Sequence, residues 1–167
     1  MHRLVLAKAL LISLAMLPCV AAHAEEIAAA KPATNPAYDA ALAQKVGADE
    51  MGMRKYVLVI LKTSAKPLPA GPERDAMFQG HFANMKKLAD AGKLAFAGPF
   101  GDKNTGEGSW RGMFVFAVPT IDEAKALTAT DPVLQQGEMV AEYHPLFGSA
   151  SLMLVPETYL KVAKKPM

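Results

Sequence analysis

Cysteine is nearly absent from this chain: the single thiol, Cys19, lies within the first 24 residues, so no disulfide can staple the remaining 143. Packing alone has to hold the fold. Runs of positive charge are missing too. Two of the 18 basic residues, Arg3 and Lys8, sit in the opening segment, and without them the remainder is balanced by 16 acidic side chains. A neutral chain with no basic run gives no electrostatic reason for a nucleic-acid partner, and a small molecule is the expected ligand. No apolar run reaches the about 20 residues needed to cross a bilayer, so no membrane span is expected. Nor are there two histidines one helical turn apart or any comparably compact ligand spacing, so no metal is predicted. Gly98-Pro99-Phe100-Gly101 carries glycine but not the Lys-Ser/Thr ending of a phosphate loop, and no cofactor is expected.

What is present begins with a three-part leader: His2, Arg3 and Lys8, an apolar run from 9 to 20, then Ala22-His23-Ala24 before Glu25-Glu26. That is the grammar of a secretory signal peptide over residues 1–24, which predicts a periplasmic or secreted protein. Residues 25–50 are rich in alanine and poor in large apolar side chains, and read as a flexible tether; the four-residue spacing of Tyr38, Leu42 and Val46 leaves a short helix open. Residues 51–150 form the domain, and 151–167 a C-terminal tail.

Within the domain, residues 56–61 are an unbroken β-prone run, the pattern of a buried central strand. Phe78, Phe82, Met85 and Ala89 recur at helical spacing, with Gly92 as a stop, and Gly80 inside that helix costs about 1 kcal/mol relative to alanine, predicting a late start or a bend. Two strands at 93–100 and 110–118 flank a polar, turn-rich loop. Thr120-Ile121-Asp122-Glu123 is a capping box opening a second helix, Asp131-Pro132 opens a further turn, and 138–146 alternates as a fourth strand. The order βαββαβ predicts an α+β, ferredoxin-like domain: one antiparallel four-stranded sheet with both helices on one face. The other face is bare, and a homodimer burying it around a cavity is the expected assembly.

His81-Phe82-Ala83-Asn84-Met85-Lys86-Lys87-Leu88, Gly92-Lys93-Leu94, Ala97-Gly98-Pro99-Phe100, Arg111-Gly112-Met113-Phe114-Val115-Phe116 and Thr130-Asp131-Pro132, taken together and in order, resemble the YCII-related (YciI-like) family. The resemblance implies a dimeric α+β barrel and a His–Asp active-site pair falling on His81 and Asp131. One characterised type removes chloride from a chlorinated hydroxylated aromatic ring, and related dimeric barrels isomerise lactones or bind small aromatics. The leader, the tether and the tail after Leu146 depart from the family pattern and set this chain apart from relatives with cytoplasmic substrates.

On residue chemistry alone, His81 lies at the edge of the apolar stripe of its helix, where few polar groups occur. Held near a carboxylate, it can take and return a proton near neutral pH; the competing reading is a core-edge histidine satisfied by a carbonyl. Asp131 either orients that histidine or simply caps the turn opened by Pro132, and one carboxylate is able to do both. Glu142 and His144 share one face of the fourth strand, opposite the face expected to meet the helices. Together with Pro99, Phe100 and Arg111 they are candidate substrate-binding residues around a small, flat, aromatic type of ligand. The function expected is an exported small-molecule enzyme, a lyase or isomerase using a His–Asp proton-transfer pair; the alternative is a noncatalytic binding module or a dimeric interaction module.

Overall fold

A computed structural model describes residues 35–101 and 106–165 of the chain; the expected leader at 1–24, and the start of the expected tether, lie outside the described residues. The central strand β1 (Met53–Thr63) pairs antiparallel with β3 (Trp110–Phe116) on one side and β4 (Met139–Ser149) on the other, and β2 (Leu94–Pro99) pairs with β3, giving the order β2-β3-β1-β4. This is the expected ferredoxin-like sheet. Because successive side chains on a strand point to opposite faces, the apolar run of β1 serves two layers at once. Val57, Val59 and Leu61 face the helices, while Tyr56 and Leu58 face away.

The longest helix on the main face, α2 (Pro72–Asp90), begins at a proline whose fixed φ and missing N–H suit a first turn. It starts earlier than the spacing of its apolar residues suggests and continues without interruption through Gly80. Helix α3 (Ile121–Thr128) is opened by Thr120, whose Oγ1 accepts the Glu123 N–H at 3.3 Å, and α4 (Pro132–Gln135) by Asp131. Met77 and Leu88 from α2, Ala124 from α3 and Val133 from α4 bury against Phe114, Phe116 and the inner residues of β1. At about 1.5–3 kcal/mol for each large apolar side chain buried, this layer carries most of the stability. Strand β4 continues past Pro145, which is tolerated because β4 is an edge strand paired only with β1.

Two segments outside the expected βαββαβ order carry helices, the first of them at the short helix that the spacing of Tyr38, Leu42 and Val46 leaves open. Within the expected tether, Ala40–Val46 is a helix, α1: Asp39 accepts the Leu42 N–H at 2.9 Å, Gly47 closes it at φ 68°, and Val46 is buried. The tail is ordered as well, as a 3₁₀ turn (Ala150–Leu154) and then helix α5 (Val155–Val162). The physical reason is the sheet face that local patterning leaves bare. Leu152 and Met153 of the 3₁₀ turn pack on Tyr56, Ala95, Val115 and Ala117, so the chain covers one end of that face itself. Polar ties fasten the covering: Tyr56 Oη donates to the Ser149 carbonyl at 2.9 Å, Arg54 Nη1 to the Val46 carbonyl at 2.7 Å, and Lys45 pairs with Glu157 at 3.0 Å. Burial pushes the Tyr56 hydroxyl above its usual pKa. Lys161 and then Lys45 hold the Glu157 carboxyl down from its ordinary 4.5 to about 2.

Candidate functional site

The seam between α2 and the turn at 130–132 is a ladder of three contacts. At the first rung, a Cβ on Gly80 would stand 3.0 Å from Pro132 Cγ, so glycine is what lets the two segments approach. The helix therefore accepts the propensity cost of glycine in exchange for closeness. At the second, His81 Nδ1 lies 2.9 Å from each of the two Asp131 carboxylate oxygens. At the third, Thr130 Oγ1 donates to Asn84 Oδ1 at 3.0 Å, while the buried Asn84 amide nitrogen has no hydrogen-bond partner among the described residues. A methyl at position 80 should force Pro132, and with it Asp131, away from the helix. We expect Gly80→Ala to weaken the His81 contact and to gain none of the about 1 kcal/mol that alanine brings to a helix interior, checked by the loss of a slowly exchanging His81 Nδ1–H resonance and by the denaturation midpoint.

Asp131 is 1% exposed and His81 7%, so this pair exchanges little with bulk water. Asp131 Oδ1 also accepts the Val133 N–H at 3.1 Å, so the carboxylate caps α4 and holds the histidine at once. A carboxylate accepts hydrogen bonds, hence Nδ1 carries the proton toward it, and in the neutral ring Nε2 is the nitrogen with the lone pair. Around the imidazole stand three phenyl rings, with centroids at 6.1 Å for Phe78, 5.4 Å for Phe82 and 5.9 Å for Phe114. Phe82 is the outward one, 46% exposed. No described group hydrogen-bonds Nε2.

A second buried carboxylate, absent from the candidates that local sequence suggests, closes the near end of α2. Glu138, fully buried just ahead of β4, accepts from Arg74 Nε at 3.1 Å and Nη2 at 2.6 Å through Oε1, and from the Leu68 N–H at 2.9 Å through Oε2. That side-chain hydrogen bond is the main reason the Arg74 pKa is raised above its ordinary value. The Arg74 guanidinium lies 5.0 Å from the centroid of the Phe78 ring. Apolar spacing alone predicts a helix starting near Phe78, which leaves Arg74 outside it; the signal that could have found Arg74 is its placement four residues before Phe78 and seven before His81.

The remaining candidates fall elsewhere. Glu142 and His144 do share a strand face, and it is the one turned away from the helices, so the sheet separates them from His81 and Asp131. They bind each other, His144 Nε2 to Glu142 Oε1 at 2.7 Å, while Lys62 reaches Glu142 Oε2 at 2.8 Å. Lys62 first and His144 second hold the Glu142 carboxyl below its usual range. Pro99 ends β2; Phe100 lies against Trp110 with ring centroids 5.2 Å apart, and Arg111 reaches Thr63 Oγ1 at 3.5 Å from a bulge in β3. None of the three hydrogen-bonds or makes a ring contact with the His–Asp pair. A shallow groove of about 400 Å³ lies between α3, α4 and β4, lined by Leu134, Met139 and Tyr143 among others, and the pair does not line it. Among the described residues no three His, Cys, Asp or Glu side chains converge as metal ligands, and no helix is long and apolar enough to cross a membrane.

The fold and this seam define a ferredoxin-like α+β protein with a buried, phenyl-lined His–Asp pair. The YCII-related domain model matches residues 55–144, more than half of the chain, and the chain belongs to that family. No curated protein matches it in sequence.

Proposed function

We propose that this protein is an exported small-molecule enzyme, of the lyase or isomerase type, in which His81 moves a proton and Asp131 orients it. The observation that carries this reading is the contact of His81 Nδ1 with both Asp131 oxygens at 2.9 Å, with Nε2 standing among phenyl rings and without a hydrogen-bond partner among the described residues. In the reaction, Nε2 takes a proton from a substrate C–H or O–H and the ring becomes imidazolium, steadied by the Asp131 charge. The electron pair left on the substrate either shifts a double bond, with the proton returned at another atom, or expels a leaving group as an anion. A noncatalytic binding role is favoured by one observation, the 7% exposure of His81, which limits access in the unliganded state. The two readings separate in heavy water. Incubated there with a metabolite extract, the protein should catalyse deuterium incorporation into a small molecule, and His81→Ala should not; incorporation that persists in the variant excludes His81 as the proton carrier.

Export and pairing with a second copy belong to the same proposal. Their support is the leader at 1–24 and the exposed Trp110 and Val140 on the part of the sheet that the 3₁₀ turn does not cover. Expressed with its own leader in a Gram-negative host, the protein should be recovered outside the cytoplasm, begin at Glu25 and sediment at twice the chain mass. An unprocessed cytosolic product would end the export reading, and a monomer the pairing.

A further inference from the structure

We infer that Arg74 is the anion-holding residue of this site, so that the molecule bound beside His81 is a small organic acid with an apolar or aromatic body. The inference deepens the proton-transfer reading and rests on it for the role of the site, though not for the existence of the subsite.

Arg74, Phe78 and His81 fall at i, i+4 and i+7 on α2 and therefore share one helix face. Phe78 stands between the other two, 5.0 Å from the guanidinium carbon and 6.1 Å from the imidazole centroid. A cation, an apolar ring and a proton acceptor thus succeed one another along a single line. Glu138 engages only the Nε side of the guanidinium fork, through Nε and Nη2. Nη1 has no hydrogen-bond partner among the described residues, and the side chain is 28% exposed. The guanidinium is consequently pre-oriented by a buried carboxylate and still has donors to offer, the arrangement in which arginine recognises carboxylates. Glu138 also offsets the charge of Arg74, so the subsite should hold its anion weakly and by directed hydrogen bonds. Lysine, a point charge without a fork, can satisfy Glu138 and yet leave nothing in the right place for the ligand.

Benzoate and its neutral counterpart benzamide are suitable probes, monitored by NMR on the purified protein. Benzoate should shift the Arg74 Nε–H and the Phe78 ring resonances saturably, and benzamide should not. Arg74→Lys should bind benzoate at least ~10-fold more weakly, because a bidentate fork is lost, while melting close to wild type. His81→Ala should stay within about 3-fold of wild-type benzoate affinity, since it removes no hydrogen bond to the anion. The inference is overturned if benzoate and benzamide behave alike, if the shifts appear instead around Lys125 and Tyr143, or if Arg74→Lys binds as tightly as wild type. Should Arg74→Lys fail to fold, the contrast between the two probes in wild type decides alone. If deuterium exchange fails while benzoate still engages Arg74, the proton-transfer reading falls and the anion subsite stands.

Discussion

Asp131→Asn is expected to lose at least ~10²-fold in proton-transfer turnover while costing only about 1–2 kcal/mol of stability. The two numbers separate because the carboxylate has two duties. As cap of α4 it accepts the Val133 N–H at 3.1 Å, and an amide oxygen can do the same. As partner of His81 it supplies the negative charge that steadies imidazolium and the acceptor that keeps the proton on Nδ1. The amide lacks the charge, and its NH₂ group, turned toward the ring, would reverse the tautomer and place the lone pair on the wrong nitrogen. Turnover and thermal melting on the same samples measure both duties. Marked destabilisation with unchanged turnover would reduce Asp131 to a cap and leave His81 without an orienting partner.

The largest loss of stability should come from Glu138→Ala, about 3–5 kcal/mol, because removing one member of a buried ion pair strands the other. Here it would strand both Arg74 and the Leu68 N–H, and would release the backbone at Leu68 that the Glu138 side chain ties to the head of α2. The double variant Arg74→Met, Glu138→Leu should recover at least half of that loss, since apolar residues of similar volume carry no desolvation penalty. Denaturant midpoints for the two singles and the double give the coupling directly. If Glu138→Ala costs less than about 1 kcal/mol, the pair is an exposed-type bridge and does not organise the near end of α2.

Much of the architecture is legible in the amino-acid sequence, because each element carries its own local cause. The run 56–61 has the apolar density of a strand buried on both faces, Thr120 and Glu123 mark a helix start, and Asp131-Pro132 marks another. The short motifs around His81 and Thr130-Asp131-Pro132 are enough to indicate the YCII-related family. Less visible are features whose cause is distant in the chain. Val46 has no neighbour in sequence to pack against, and α1 exists because Arg54, Glu157 and the 3₁₀ turn meet it in space.

Composition and local pattern by themselves determined the fold class, the order of the core elements and, with Cys19 as the single thiol, the absence of a disulfide framework; the pairing of His81 with Asp131 was what the family resemblance implied. Tertiary structure decided the rest. It brought the Nδ1 atom of His81 onto both Asp131 oxygens by way of the glycine at position 80, and it set Glu142 and His144 on the far side of the sheet. It also laid the 3₁₀ turn over part of the sheet face that local patterning leaves bare, and packed α1 against that turn. Periodicity records which face of an element is apolar. Which other segment fills that face is a matter of long-range packing, where a buried Glu138 and a half-free Arg74 acquire meaning only once β4 lies beside the head of α2.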